Sequence, residues 1–239
     1  NDLYVHNYAT WNTELQLSDV AEGVKCTYAG TGTQTYLSRV GSLNVCDLTA
    51  IGSAMHIEVK NIQSADTNGY TFVMAIGDDY TTSGDQGSGD PGRAWLNKGN
   101  GKATILTVES NGSYRAWNKD ATETLYPNNS GIVATASGDL TNALSDSITL
   151  DIVKVSQANS VWGYEITINN STTISITTPQ YVANPYINIG LLGANADTAE
   201  NYKTNMVGSS FVITDFSAVV PVQSVSLNET FVTLDEVGD

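Results

Sequence analysis

Short runs in which apolar and polar residues alternate recur along the chain, separated by turns rich in Gly, Asn, Asp and Ser. In Met-His-Ile-Glu-Val-Lys, residues 55–60, every second residue is apolar. A period of two is typical of a half-buried β-strand, and β-branched residues are dense in all these runs. Helical periodicity is nearly absent. The pattern predicts an all-β sandwich or barrel with strands at 55–60, 70–76, 103–108, 148–154, 162–168, 173–176, 187–192 and 211–216.

Two turn sequences predict hairpins. Asn111-Gly112 suits a two-residue type I′ turn, and Asn169-Asn170 can play the same part further along the chain. A two-residue turn at 111–112 places Leu106 opposite Trp117. One face of the hairpin then carries Leu106, Val108, Arg115 and Trp117. This apolar face favours a core position for Trp117, whereas Arg115 favours a groove, so both positions remain open.

The other tryptophans differ in their surroundings. Trp162 alternates with Tyr164, Ile166 and Ile168, which predicts a core position. Trp95 instead follows a polar segment, 77–93, that is rich in Gly and Asp and contains Tyr80 near its start. Loops of this length are uncommon in compact domains and are often functional. A solvated insertion is the alternative interpretation.

Composition narrows the classes of partner. The chain has 239 residues, 41% of them hydrophobic, which is enough for a core, and its net charge is −15. Such an acidic chain repels phosphate backbones and anionic lipid surfaces, so nucleic acid and membranes are not expected partners. Two histidines and two cysteines are too few for most zinc sites. The low lysine content and the many small polar residues are typical of a secreted or cell-surface bacterial protein.

Residues 1–220 resemble the concanavalin-like lectin and glucanase sandwich, in which two antiparallel sheets pack as a jelly roll. The order of four segments carries the resemblance: Asp151-Ile-Val-Lys-Val, Trp162-Gly-Tyr-Glu-Ile-Thr-Ile-Asn, Ile187-Asn-Ile-Gly-Leu-Leu and Phe211-Val-Ile-Thr-Asp-Phe. The resemblance implies a two-sheet antiparallel jelly-roll β-sandwich. Many carbohydrate-binding modules share this order of strands.

Residues 221–239 have a different character. Val225, Leu227, Leu234 and Gly238 match the V-x-S-V-x-L and L-x-x-G spacing that opens bacterial Ig-like domains of group 2. The resemblance implies a linker and the truncated start of such a domain, hence neighbouring modules in a longer protein. About 20 residues are too few to form a core of their own.

The same fold houses glycoside hydrolases that carry two or three acids on one strand in the pattern E-x-D-x-x-E. Retaining hydrolysis needs a nucleophile and an acid about 5 Å apart. Here Glu58 and Glu165 each stand alone on the polar side of a predicted strand. We therefore predict a protein that is not an enzyme. An alternative function is that of a cell-surface adhesin or structural spacer domain that binds protein. A third possibility is a divergent glycoside hydrolase whose two acids come from distant strands.

The first prediction is a module that binds a neutral polysaccharide, such as starch or a plant cell-wall glycan. The chain has 12 Tyr and 4 Trp but only 4 Phe, a bias towards aromatic rings with a polar atom. Sugars present apolar ring faces for stacking and hydroxyls for hydrogen bonds. The candidate ligand-binding residues are Trp95 and Tyr80 for stacking, Arg93, Asn97 and Asp90 for hydrogen bonds, and then Trp117, Arg115 and Tyr126.

Binding of a glycan in this way requires no cofactor. A separate prediction is a structural calcium ion. Calcium prefers six to eight oxygen ligands. Asp78, Asp79 and Asp85 in the polar segment could supply several, and Asp215 resembles the final-strand aspartate that often helps hold calcium in sandwich-type carbohydrate-binding modules. Cys26 and Cys46 allow either a disulfide or two buried free thiols.

Overall fold

The computed structural model describes residues 3–6, 15–29, 39–42, 48–77, 103–119, 134–158, 161–179, 186–194 and 206–219. These residues form fourteen strands. They are β1 (Leu3–His6), β2 (Leu15–Val20), β3 (Gly23–Tyr28), β4 (Arg39–Ser42), β5 (Ala54–Gln63), β6 (Tyr70–Gly77), β7 (Ala103–Glu109), β8 (Ser113–Lys119), β9 (Ala136–Asp139), β10 (Ile148–Ala158), β11 (Val161–Ile168), β12 (Thr172–Pro179), β13 (Tyr186–Gly193) and β14 (Ser210–Val219). All eight predicted strands are confirmed.

The strands build two seven-stranded sheets. Sheet A has the order β1-β4-β13-β6-β7-β8-β9, and sheet B has the order β12-β11-β10-β5-β14-β3-β2. The strand pairs of the described residues are antiparallel. The predicted all-β, antiparallel two-sheet sandwich is therefore confirmed. No helix within the described ranges has the length and apolar character needed to cross a bilayer.

Alternation along each strand builds the core between the sheets. In β10, Ile148, Leu150 and Ile152 are buried and the residues between them are partly exposed. Trp162 and Tyr164 of β11 belong to the same buried cluster, which confirms the core position predicted for Trp162. Because successive side chains point to opposite faces of a strand, about half of the side chains of each sheet face this core and the others face away from it.

The hairpin between β7 and β8 has a different register from the predicted one. Val108 lies opposite Tyr114 and Ile105 opposite Trp117, a shift of one residue. The amide of Gly112 donates to the carbonyl of Glu109 at 2.8 Å, and Gly112 has φ +101°. This is a three-residue loop, a type I turn followed by a residue in the left-handed region. The type I′ prediction was therefore wrong, and so was the face deduced from it.

The second turn has the predicted type I′ dihedrals, but Ser171 adds a third residue between the paired Ile168 and Thr172. Asn169 and Asn170 have φ values of 50° and 53°, as a type I′ turn requires, and they connect β11 to β12. Asn169 also accepts a hydrogen bond from the amide of Thr149 at 2.8 Å through its side chain. The turn is therefore fastened to the neighbouring strand β10.

Tyr28 links the two sheets through the core. Its ring is fully buried, and its hydroxyl accepts a hydrogen bond from the amide of Leu191 in sheet A at 2.8 Å. Leu191 lies beyond the two residues of β13 that pair with β4, so the tyrosine satisfies a backbone donor at that point. A tyrosine of sheet B thereby completes the hydrogen bonding of sheet A.

A buried lysine closes one end of the sandwich. Lys154 points into the core, where its ammonium lies 3.5 Å from the centre of the Trp162 ring. The ammonium donates to the side-chain oxygen of Gln157 at 2.8 Å and to the carbonyl of Thr49. Neutral acceptors and an aromatic face thus surround a charge that would otherwise be costly to bury.

Cys26 is a buried free thiol on β3, next to Tyr28. Burial raises the pKa of this thiol to about 12. Cys46 lies outside the described residues. The proposed domain boundary at 220/221 also lies there, one residue beyond the end of β14, and stays a prediction.

Candidate functional site

Most predicted site residues lie outside the described residues. These are the ligand-binding candidates Tyr80, Asp90, Arg93, Trp95, Asn97 and Tyr126, and the calcium candidates Asp78, Asp79 and Asp85. Their roles stay predictions. Trp117, Arg115 and Asp215 are described, and the strands on either side of the undescribed segments show where those segments begin and end.

The polar segment and the Tyr126 segment begin at the same end of sheet A. Residues 78–102 join the central strands β6 and β7, whose residues Gly77 and Ala103 lie opposite each other. Ala103 also lies opposite Lys119, the last residue of β8, after which residues 120–133 with Tyr126 follow. Two segments separated by the β7–β8 hairpin are thus attached side by side to one end of sheet A.

Trp117 and Arg115 lie on the outer face of sheet A, the face turned away from the core between the sheets. Their neighbour Ala116 belongs to the core cluster and Trp117 does not, although Trp117 is fully buried. Arg115 is partly exposed. Trp117 is thus neither in the core between the sheets nor on an open surface.

A cross-strand row on this outer face contains two buried polar atoms that have no hydrogen-bond partner among the described residues. The row runs Asn188, Ala75, Ile105, Trp117 across β13, β6, β7 and β8. Trp117 Nε1 and Asn188 Oδ1 are both buried and unsatisfied. Trp117 Nε1 is a donor and Asn188 Oδ1 is an acceptor. A buried donor or acceptor without a hydrogen bond lowers the stability of the fold.

Gly41 makes room for this asparagine. It lies opposite Asn188, and a Cβ added to it would come within 2.3 Å of Asn188 Oδ1. The amide side chain therefore lies over the glycine backbone of β4. Asn188 was not among the predicted site residues, although a single amide within the apolar run Ile187-Asn-Ile-Gly-Leu-Leu was a readable signal.

The adjoining rows supply more polar groups on the same face. Gly190, Val73, Thr107 and Arg115 form the next row, followed by Leu192, Thr71 and Glu109. Thr71, Thr107 and Glu109 are buried. Hydroxyl, carboxylate, amide, indole and guanidinium groups thus share one face. Such a set can donate to and accept from the hydroxyls of a neutral ligand.

The outer face of sheet B holds the acids that could have served catalysis. Glu58 accepts from Thr214 Oγ1 at 2.7 Å and pairs with Lys60 at 2.9 Å. The Thr214 hydrogen bond, followed by Lys60, holds the pKa of Glu58 below its ordinary value. A general acid for glycoside hydrolysis needs a raised pKa instead. Glu165 is exposed, as its alternation indicated.

Asp215 lies half-buried on β14, opposite Glu58 of β5. Across the described ranges, no group of three His, Cys, Asp or Glu side chains is placed to hold a metal ion. His56 forms a 2.6 Å contact with Asp151 on the same face, with both side chains partly exposed. A calcium site at Asp215 stays a prediction.

No protein-family model matches the sequence, and no curated protein matches it. Solved structures do. A legume lectin-like domain from Entamoeba histolytica is 11% identical, with 91% of this chain and 89% of that chain covered and a TM-score of 0.50. The Emp47p carbohydrate recognition domain is 12% identical, with 93% and 90% covered and a TM-score of 0.48. An alginate lyase from Pseudomonas aeruginosa is 11% identical, with 85% of each chain covered and a TM-score of 0.44. The chain has the concanavalin-like jelly-roll fold.

Proposed function

We propose that this protein is a non-catalytic carbohydrate-binding module that binds a neutral polysaccharide, such as starch or a plant cell-wall glycan. In this proposal it belongs to a secreted or cell-surface bacterial protein and is covalently joined to further modules. The binding site lies at the end of sheet A where β6, β7 and β8 meet the segments 78–102 and 120–133. Trp95 and Tyr80 stack on the sugar rings, and Arg93, Asn97 and Asp90 bond to hydroxyls.

The observation that carries this proposal is the convergence at one sheet end. Gly77, Ala103 and Lys119 lie side by side there, so the segments with Tyr80, Trp95 and Tyr126 are attached to neighbouring strands. The row with the unsatisfied atoms of Asn188 and Trp117 lies two residues further along the same strands. The segments with the aromatic candidates are therefore attached near two polar atoms that have no hydrogen-bond partner within the described ranges.

Physical chemistry favours a neutral saccharide for such a region. Hydroxyl contacts gain only about 1 kcal/mol each, because water competes for them. Stacked aromatic rings must then supply much of the affinity, and they need no charge on the ligand. The net charge of −15 disfavours strongly anionic polymers and leaves neutral ones unaffected.

The test is affinity electrophoresis of the full chain in gels containing a panel of soluble neutral and acidic polysaccharides. We expect retardation by at least one neutral glycan. Trp95→Ala should weaken that binding by about 2 kcal/mol, roughly thirtyfold, if Trp95 is a main stacking residue. The melting temperature, measured on the same protein, should be nearly unchanged.

Trp162→Phe is the matched control, because Trp162 lies in the core between the sheets. It should lower the melting temperature and leave affinity of the folded protein intact. Full affinity for the glycan in folded Trp95→Ala and Tyr80→Ala proteins would contradict the proposed location of the binding site. Binding to none of the glycans would favour the adhesin or spacer alternative, and release of reducing ends from the panel would instead show an enzyme.

A further inference from the structure

Three of the most exposed large apolar side chains of the described residues lie at one end of sheet B. Ile51 is 60% exposed, Val155 41% and Val161 43%. The amide of Gly52 donates to the carbonyl of Lys154 at 2.8 Å, which places the turn with Ile51 alongside Val155. Val161 lies on the next strand, opposite Ala158. We call Ile51, Ala54, Val153, Val155 and Val161 the end strip.

Val155 is exposed for a structural reason. The pairing of β10 with β11 shifts between Lys154 and Ser156, so Val155 is an extra residue in the ladder. Lys154 points into the core and Val155 points out. Val155 follows the buried Lys154, so the ordinary alternation along β10 turns it outwards, and the bulge places a second exposed residue, Ser156, directly after it. The apolar side chain is therefore held outwards by the backbone geometry.

The last described residue of the chain lies beside this strip. Val219 pairs with Ala54 of β5, and Ala54 pairs with Val153 of β10. β14 therefore ends beside the start of β5, which directly follows Ser53 and the turn that carries Ile51. Pro221 lacks an amide hydrogen and cannot extend the ladder between β14 and β5. The described part of β14 thus ends at the edge of the end strip.

We propose that the end strip is the docking surface for residues 220–227 of this chain, Val-Pro-Val-Gln-Ser-Val-Ser-Leu. This segment has four large aliphatic residues and no charged residue in a chain with 35 charged residues, 10 basic and 25 acidic. Its composition matches the uncharged strip. Val222, Val225 and Leu227 cover Ile51, Val155 and Val161.

The distances permit this docking. Neighbouring strands are about 4.8 Å apart, so β10 lies roughly 10 Å and β11 roughly 15 Å from β14. An extended segment reaches at most about 3.5 Å per residue, so three to five residues span the strip. Covalent attachment gives the segment an effective concentration of the order of millimolar, which a free partner would rarely match. Docking there sets the direction in which the chain leaves the sandwich.

Hydrogen–deuterium exchange on the full 239-residue chain tests the proposal. Amides of residues 222–227 should exchange at least about tenfold more slowly than in an unstructured peptide, because docking must open before exchange. Ile51→Asp should abolish that protection. Leu17→Asp is the matched control, since Leu17 is 36% exposed on β2, at the far edge of sheet B, and should change nothing in this segment.

Exchange in β10 reports whether each variant is folded. Should Ile51→Asp also unfold β10, the milder Val155→Ser variant takes its place. Random-coil exchange of 222–227 in the unmodified chain overturns the proposal, and so does protection that both strip variants leave intact. Protection that rises with protein concentration would assign the strip to a second copy and overturn it as well.

Discussion

Replacing Tyr28 by alanine is expected to lower the free energy of unfolding by about 3–5 kcal/mol, the usual cost of removing a large buried aromatic side chain. The ring is fully buried and packs 6.5 Å, centre to centre, from Phe211. The substitution leaves a cavity between the sheets. It also removes the hydroxyl to which the amide of Leu191 donates. Chemical denaturation with the linear extrapolation method measures the loss.

Tyr28→Phe separates the two contributions. It keeps the ring and removes the hydroxyl, so it should cost only about 1–3 kcal/mol, the penalty for an unsatisfied buried backbone donor. Tyr114→Phe is the control, because Tyr114 is only partly buried. It should change the unfolding free energy by less than about 0.5 kcal/mol, as surface substitutions usually do. A Tyr28→Phe protein as stable as the unmodified one would show that the link between the sheets contributes nothing.

The protein is also expected to lose stability above pH 9. Burial raises the pKa of Cys26 from 9.0 to about 12 and that of Tyr70 from 10.0 to about 12. Burial also raises the pKa of Tyr28. Each group must stay protonated to remain in its apolar site, whereas the unfolded chain releases the proton at the lower pKa. The stabilising effect is thus complete below pH 9 and is lost as the pH rises towards 12.

The contribution of Cys26 can be measured by itself. Three pKa units correspond to about 4 kcal/mol in total, of which about 2 kcal/mol should be lost by pH 10.5. Urea unfolding at pH 7 and pH 10.5 would compare Cys46→Ser with the double variant Cys26→Ala/Cys46→Ser, so that no disulfide can form. The double variant should lose about 2 kcal/mol less over this interval. Equal losses in the two proteins would contradict the raised pKa of Cys26.

The fold class was readable from the sequence because alternation is a local property. In 148–152 and 162–168 every second residue is apolar, and a half-buried strand needs nothing more. The same reasoning placed Trp162 in the core, where the structure has it. Asn169-Asn170 could be recognised as a turn because asparagine tolerates positive φ better than most residues.

The register of the hairpin between β7 and β8, which turns at Asn111-Gly112, could not be predicted from the sequence in the same way. Asn-Gly suits a two-residue type I′ turn, and glycine equally suits the third position of a three-residue loop. The two choices differ by one residue in register, and one residue moves every side chain of the strand to the other face. The amide of Leu140, which donates to the carbonyl of Gly112, and the pairing with β9 belong to the tertiary structure.

The sequence by itself determined that the chain alternates into strands, which side chains are apolar and where polar turns interrupt them. Only the tertiary structure decided that Asn188 and Trp117 share one row, and that β14 ends beside the start of β5. The reason is that β13 pairs with β6 across more than a hundred residues, and β5 with β14 across a still longer stretch. Such pairings depend on the packing of both sheets around one core, and no local pattern of residues encodes them.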